Sequence, residues 1–134
     1  MEQPEYESLL AFRTALRRFL HWSREQEAAA GLTPAQHELL LVLQVHPDQA
    51  GPTISELASS LLIRPHSAVQ LADRVEALGL VRRRRDDTDR RLVRLQLTPA
   101  GRRRVRELDP THSEELRRLA RLAAVTTGLH GPPG

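Results

Sequence analysis

Seven arginines crowd into thirteen residues near the middle of the chain. They form the run Arg82–Arg85, the pair Arg90 and Arg91, and Arg94. This density of positive charge suits the binding of a polyanion, although a charge run by itself is more often a solvated face. Residues 50–110 hold thirteen arginines and eight acidic residues, a net charge of +5, whereas residues 1–49 have a net charge of −3. We therefore expect the middle of the chain to meet an anionic partner.

The positions of the aromatic residues favour duplex over single-stranded nucleic acid as that partner. All four aromatic residues precede residue 23, outside the basic segment: Tyr6, Phe12, Phe19 and Trp22. Proteins normally hold single strands by stacking bases on aromatic rings. Because the basic segment has no such ring, a double-stranded backbone is the expected target.

Several other classes of function find no support in the residue pattern. The chain has no cysteine and no motif that joins a nucleophile, a base and oxyanion donors, so neither thiol chemistry nor enzymatic catalysis is expected. The six histidines are scattered without a His-x-x-x-His pair, so no metal site and no cofactor is predicted.

Nothing in the sequence predicts a membrane or export signal. The longest unbroken apolar run, residues 39–43, is far shorter than the ~18 residues that cross a bilayer. Glu2, Glu5 and Glu7 stand where a signal peptide would be positively charged. A cytoplasmic protein is therefore expected.

Periodicity and capping signals predict the elements that must position the basic residues. A first helix ends at Gly31, a second runs from the Thr33 cap to a stop before Pro47, and a short third helix begins at the Thr53 capping box. Pro65 starts a longer helix that Gly79 ends. Short helix, tight turn and longer helix is the helix-turn-helix pattern.

Apolar spacing also predicts which side chains point inward. The inward positions predicted for the first helix are Leu9, Phe12, Leu16, Phe19 or Leu20, and Ser23. Those of the short third helix are Leu57, Ala58 and Leu61, and those of the helix after Pro65 are Val69, Ala72, Val75 or Ala77, and Leu78. Alternation after Gly79 predicts two strands with Val93, Leu95 and Leu97 on one face. A last helix follows Thr98, and its stripe stays in phase across Pro110: Val105, Leu108, His112, Leu116, Leu119 and Leu122. The fold class is therefore mainly α with a small β-hairpin.

This order of elements, together with several motifs, resembles the MarR family of winged helix-turn-helix transcription regulators. The motifs are Leu57-Ala58, the segment Leu71–Val81, an Asp-x-Arg in the hairpin turn, and Leu-Thr-x-x-Gly at residues 97–101. The resemblance covers roughly residues 5–125. It implies a single winged helix-turn-helix domain, residues 1–134, flanked by N- and C-terminal dimerisation helices. The implied parts are the helix-turn-helix 53–79, the wing 80–97, dimerisation helices at about 5–30 and 99–125, and a disordered tail 126–134.

The resemblance also implies how the protein works. It implies a homodimeric regulator of repressor type that binds a pseudo-palindromic operator in double-stranded DNA. The recognition helix would lie in the major groove and the wing in the minor groove. The family usually adds a further C-terminal helix to the dimer interface, whereas here Gly and Pro follow Leu122 closely, so the first and last helices are expected to supply the contact. Phe12, Phe19 and Trp22 are the expected anchors of the dimer, or else belong to the core.

Carried over by position, the recognition helix is Pro65–Leu78, and Gln70 is the first choice for reading a base because an amide can hydrogen-bond adenine with two atoms. The alternative for Ser67 and Gln70 is that they merely face solvent. For His66, contact with a phosphate, contact with a base and no contact all stay open. Arg74 is expected either to contact a phosphate or to pair with the neighbouring Asp73 or Glu76. Arg64 stands where the family usually has a hydroxyl cap and is expected to contact phosphate.

In the wing, Asp89 and Arg91 match the family's Asp-x-Arg pair, whose Arg enters the minor groove. Arg90 is a phosphate candidate. Strand alternation lets only two of Arg82–Arg85 face a duplex, and Arg84 is taken as one of them.

The resemblance leaves open whether a small molecule controls the protein. Family members commonly bind a small phenolic or lipophilic anion between the dimer helices and the DNA-binding lobe. The residues that would line such a cleft, or else belong to plain core, are Phe19, Trp22, His37, Leu40 and His112. The alternative from another class is a winged-helix interaction module whose Arg-rich wing binds an acidic protein partner.

Overall fold

The computed structural model describes the backbone of residues 1–128 and the side chains of residues 1–108 and 112–121. Within that part of the chain, five helices surround one antiparallel hairpin. The elements are α1 (Gln3–Ala29), α2 (Pro34–Val45), α3 (Ile54–Leu61), α4 (Pro65–Ala77), β1 (Val81–Arg85), β2 (Val93–Leu97) and α5 (Pro99–Gly128). The predicted class, mainly α with a small hairpin, is confirmed.

The helix starts follow the capping signals with one difference. Thr33 and Gln36 form the complete reciprocal capping box of α2. Thr53 caps α3 through the Glu56 backbone N–H, but the Glu56 carboxylate lies 3.3 Å from His46 Nε2 instead of completing the box. The α4 cap position, Arg64, makes no capping bond with its side chain, and Pro65 begins the helix.

Two glycines permit the backbone that joins the hairpin to the helices. Gly79 adopts a left-handed φ of 76° and ends α4, as predicted. Gly51 has a φ of 86°, and a Cβ there would lie 1.8 Å from the Leu95 carbonyl oxygen. Only glycine lets the 47–52 loop approach β2 this closely. The Leu95 N–H donates to the Pro52 carbonyl at 2.9 Å, so the loop extends the hairpin by one short pairing.

The core lies between α2, α3, α4 and the hairpin. Its fully buried large side chains include Leu39, Leu40, Leu57, Val75 and Leu95. The register pairs Val81 with Leu97 and Arg83 with Leu95, so the predicted apolar face of β2 does point inward. The hairpin is thus held by the helices, which a two-stranded ribbon requires.

The predicted inward face of α4 is wrong at two positions. Val69 is 40% exposed and Leu78 50%, whereas Ala68 and Leu71 are buried with Ala72 and Val75. Both phases keep helical spacing, and sequence alone did not distinguish them. The observed phase places the small Ala68 against the core and leaves Val69 beside the wing.

The predicted inward face of α1 is wrong at its leucines, whereas Ser23 is buried as predicted and Phe12 and Phe19 are half-buried. Leu9, Leu16 and Leu20 are exposed, and the buried residues of α1 are Ser8, Ser23 and Glu27. The buried polar groups are tolerated because Ser23 and Glu27 each hydrogen-bond a histidine of another helix. The leucines are therefore left as an open apolar face.

The last helix runs without interruption past position 110, as the phase of its stripe predicted. Val105 and Leu108 are buried, but Leu116 is exposed, and the side chain of Leu122 lies outside the described residues. The helix includes residues 126–128, the first three of the predicted tail, and residues 129–134 lie outside the description. No helix within the described range is both long and apolar enough to cross a bilayer.

Candidate nucleic-acid interface

The outward face of α4 presents a row of polar side chains that runs from the cap position to the last turn of the helix. Arg64, His66, Ser67, Gln70 and Arg74 are all exposed. The Gln70 amide nitrogen lies 3.3 Å from His66 Nε2, one helical turn away. The amide and the imidazole therefore offer donors and acceptors side by side, which is the kind of group that can read base edges.

The wing tip is built around the Asp89–Arg91 pair. Asp89 accepts from Arg91 Nε at 3.1 Å and Nη2 at 3.2 Å, and from the Arg91 backbone N–H. These hydrogen bonds lower the pKa of Asp89 below its usual value. The Arg91 side chain is nevertheless 90% exposed, so it is oriented by a carboxylate and still open to a ligand. Next to it, Arg90 is exposed, and its carbonyl accepts from Arg85 Nη1 at 2.8 Å.

A second acid, Asp86, stabilises the base of the hairpin turn by hydrogen bonds. Asp86 accepts from Arg94 Nε at 2.6 Å and from the backbone N–H groups of Thr88 and Asp89. The Arg94 hydrogen bond is the main cause that lowers the pKa of Asp86 to about 2. Arg94 also donates from Nη1 to the Gly51 carbonyl at 2.9 Å. This arginine therefore ties the wing to the 47–52 loop.

Arg83 joins the wing to the recognition helix. Its Nη2 donates to Asp73 at 2.6 Å and its Nη1 to Glu76 at 2.8 Å, so both acids of α4 on that side are engaged. The alternative in which Arg74 pairs with a neighbouring acid is absent, since Arg74 forms no ion pair within the described part of the chain. These two ion pairs, which we call the Arg83 clamp, link α4 to β1.

The remaining arginines of the run divide by strand face. Arg82 and Arg84 point to the opposite side of the hairpin from Arg83. Arg82 donates to Gln96 Oε1 at 3.1 Å, whereas Arg84 makes only a 3.4 Å contact with the exposed Asp87. Arg84 is thus the less restrained of the two.

Sequence reasoning missed the roles of Arg83 and Val69. The sequence did contain a signal for the Arg83 clamp. Asp73 and Glu76 are three residues apart on an exposed face of α4, and a strand of arginines follows this helix. Val69 was assigned to the core, and its exposed side chain instead offers an apolar contact beside Gln70.

Four of the five cleft candidates come together where α1, α2 and α5 meet. The His112 ring lies 4.8 Å from the Trp22 ring, 5.0 Å from that of His37 and 6.5 Å from that of Phe19, centre to centre. Leu40 is different, because it is fully buried in the core.

Three side chains at this junction of α1, α2 and α5 could hold a metal ion. Glu27, His37 and His112 each offer one ligand atom, and these atoms lie within 4.8 Å of one another. The sequence expectation of no metal site rested on histidines that are scattered along the chain. His37 and His112 are 75 positions apart in the sequence, and the fold brings them together.

Fold and surface together define a winged helix-turn-helix protein. The sequence model of the MarR family matches residues 30–92, which run from the start of α2 into the hairpin turn. The predicted resemblance to the MarR family is confirmed over that segment.

Two curated relatives, both from Bacillus subtilis (strain 168), each match about half of the chain. The HTH-type transcriptional repressor MdtR is 35% identical over 71 residues, which is 53% of this chain and 44% of MdtR. The uncharacterised HTH-type transcriptional regulator YsmB is 37% identical over 65 residues, 48% of this chain and 44% of YsmB. The matched segments thus span less than half the length of these relatives.

Solved structures share the fold over most of the chain. AbsC, a MarR family transcriptional regulator from Streptomyces coelicolor, superposes with a TM-score of 0.75 at 24% identity, covering 89% of this chain and 80% of its own. MepR of S. aureus, in a complex with DNA, gives a TM-score of 0.71 at 23% identity, covering 81% and 79%.

Proposed function

We propose that this protein is a sequence-specific transcription regulator, of repressor type, that binds double-stranded DNA as a homodimer. In this proposal α4 enters the major groove, where Gln70 reads a base, and Arg91 enters the flanking minor groove. Arg64, Arg74, Arg84 and Arg90 contact phosphates. The MarR resemblance and the repressor name of MdtR support the proposal.

One observation carries the proposal above the others. The ion pairs of Arg83 with Asp73 and Glu76 connect the helix that carries the polar row to the strand that carries the arginines of the wing. A duplex presents a groove and its flanking phosphates at fixed spacing, so a fixed pair of contacts loses little conformational freedom on binding.

Selection of bound duplexes from a random pool tests the proposal. A pseudo-palindromic site should emerge and should be bound at least ~10³-fold more tightly than random sequence. Its affinity should fall with salt at a slope of about −0.9 per phosphate contacted. A wing that binds an acidic protein would instead select no duplex sequence, and that result would refute DNA reading.

A small lipophilic anion is proposed to relieve DNA binding. Between α1 and α5 lies a cavity of about 560 Å³ lined by Phe19, Trp22 and Leu119. Its polar residues are Arg18, Arg118 and Glu115, and Glu115 pairs with Arg118 at 3.0 Å, whereas Arg18 forms no ion pair among the described residues. An apolar wall beside the Arg18 cation suits a phenolic carboxylate. Salicylate is a suitable probe. It should weaken binding to the selected duplex, and Trp22→Leu should abolish that effect of salicylate.

A further inference from the structure

Three side chains from three different helices converge in the interior beside Trp22. Glu27 comes from α1, His37 from α2 and His112 from α5. The side chains of Glu27 and His37 are each only 6% exposed, and His37 Nδ1 donates to Glu27 Oε2 at 2.6 Å. A buried carboxylate and imidazole are costly at a core position unless they are paired, and this pair lies where a bound cation could replace the proton that the two groups share.

Hydrogen bonds define the state of the third ligand. His112 Nδ1 lies 2.9 Å from the Leu108 carbonyl, which can only accept, so Nδ1 carries a proton and donates it. In the neutral ring the lone pair therefore sits on Nε2, which is 2.8 Å from Ser23 Oγ. A histidine whose other nitrogen is held by a backbone carbonyl has the usual arrangement of a metal ligand.

The distances suit a small divalent ion. Zinc lies about 2.0–2.2 Å from histidine nitrogen and carboxylate oxygen, so two of its ligand atoms are roughly 3.4 Å apart in a tetrahedron. Here the ligand atoms are separated by 2.6 Å in the closest pair and by no more than 4.8 Å in the set. Shifts of about an ångström, within reach of side-chain rotation, would close the site.

The neighbouring cavity gives a metal ion access to the cluster and leaves room for a fourth ligand. A cavity of about 270 Å³ borders the cluster and is lined by Ser23, Glu27, His37 and His112 as well as Glu38. Water or the Ser23 hydroxyl can complete the coordination from this side. Imidazole ligands favour zinc-like transition ions over Mg²⁺ or Ca²⁺, which prefer oxygen.

We propose that Glu27, His37 and His112 bind one zinc-type divalent ion per chain, which cross-links α1, α2 and α5. The proton that His37 shares with Glu27 is released as the ion takes its place. Because the ion joins the first and last helices to α2, whose leucines enter the core beneath the recognition helix, its occupancy controls DNA affinity. This last step rests on the proposed function.

The binding test uses the full chain without DNA. Zn²⁺ titrated into apoprotein in a calorimeter should bind with a stoichiometry of one and should raise the Tm. Trp22 is the chain's only tryptophan and its ring lies 4.8 Å from that of His112, so paramagnetic Co²⁺ in the site should quench its fluorescence. Failure of the wild type to bind Zn²⁺, or of Co²⁺ to quench Trp22, would overturn the site whatever the variants do.

Glutamine substitutions locate the ligands. His37→Gln and His112→Gln should each weaken Zn²⁺ binding at least 100-fold, with folding checked by circular dichroism. The matched control is His21→Gln, because His21 forms a similar 3.1 Å pair with Glu25 on the surface of α1, where the His21 side chain is 76% exposed. If His21→Gln removes binding and folded His37→Gln and His112→Gln keep it, the assignment is wrong.

A separate measurement tests the coupling to DNA. Affinity for the selected duplex should differ between apo and zinc-loaded wild type, and His37→Gln should show no such difference. Equal wild-type affinities with one Zn²⁺ bound would overturn the coupling and leave the site. Absence of duplex binding with normal zinc stoichiometry would instead count against the proposed function.

Discussion

Arginine serves two different purposes in the basic segment, and the partner of each side chain distinguishes them. Arg83 and Arg94 are the less exposed ones, and each meets carboxylates at 2.6–2.8 Å. Arg64, Arg74 and Arg90 form no ion pair among the described residues. Counting charges therefore overstates the surface that a polyanion can contact. Arg64, Arg74 and Arg90, together with the exposed Arg84 and Arg91, are the arginines we assign to DNA.

Gln70→Ala and Arg91→Ala should affect DNA binding differently. Losing the amide of Gln70 should relax the preference at one base step by about 1–3 kcal/mol and leave other positions unchanged. Losing Arg91 should lower affinity for all sequences, since its contact in the minor groove depends on negative potential. Affinities for single-base operator variants measure both effects, with Gln3→Ala, at the distant start of α1, as the control. A uniform loss from Gln70→Ala would contradict its role in reading.

Asp86 should make the wing sensitive to acid. Its pKa is about 2 in the folded chain against an ordinary 3.8, so folding favours the carboxylate. Its contribution is then complete above the ordinary value and is lost as the pH falls from about 4 towards 2. The Tm of the wild type should exceed that of Asp86→Asn at neutral pH, and the difference should shrink over that range. Asp87→Asn, which alters an exposed acid, should show no such trend, and a pH-independent difference for Asp86→Asn would exclude a charge effect.

At the scale of elements, the clamp between β1 and α4 sets how helix and wing are presented together. Arg83→Ala should lower global stability little, by about 0–1 kcal/mol, because its ion pairs are partly exposed. It should nevertheless loosen the wing, seen as faster amide hydrogen exchange in β1 and β2, and weaken operator binding. Arg82→Ala removes a neighbouring arginine without touching α4 and should preserve the exchange rates. Unchanged exchange in Arg83→Ala would show that the core alone fixes the wing.

Element boundaries were predictable because caps, glycines and apolar spacing act locally. Thr33, Pro65 and Gly79 each mark an end that the structure reproduces. The phase of α4 was not predictable, since Val69 and Ala68 fit the same helical period. The Glu27, His37 and His112 cluster was also out of reach, because it depends on how α1, α2 and α5 cross. Of the site, the exposure of the polar row on α4 was foreseen, whereas the ion pairs that restrain Arg83 and Arg94 were not.

At the scale of the whole molecule, the open apolar face of α1 calls for an explanation. Leu9, Phe12, Leu16 and Leu20 border a groove of about 560 Å³ on a helix whose buried positions are polar. A periodic apolar stripe that the protomer leaves exposed is typical of a surface that a second copy covers. The sequence predicted the stripe correctly as apolar and amphipathic, but periodicity does not say whether a stripe is buried within a chain or between two chains.

Leu16→Glu should therefore separate the dimer without unfolding the protomer. Leu16 is already partly exposed in the single chain, so a charge there costs little until a partner must bury it. Sedimentation should show a dimer for the wild type and a monomer for the variant. Because a palindromic operator gains from two linked recognition helices, affinity for the full site should fall towards that for a half-site. Val45→Glu, which charges an exposed apolar position at the end of α2, should leave both quantities unchanged. If Leu16→Glu remains dimeric, the pairing surface lies elsewhere on the molecule, and the leucines of α1 have another partner.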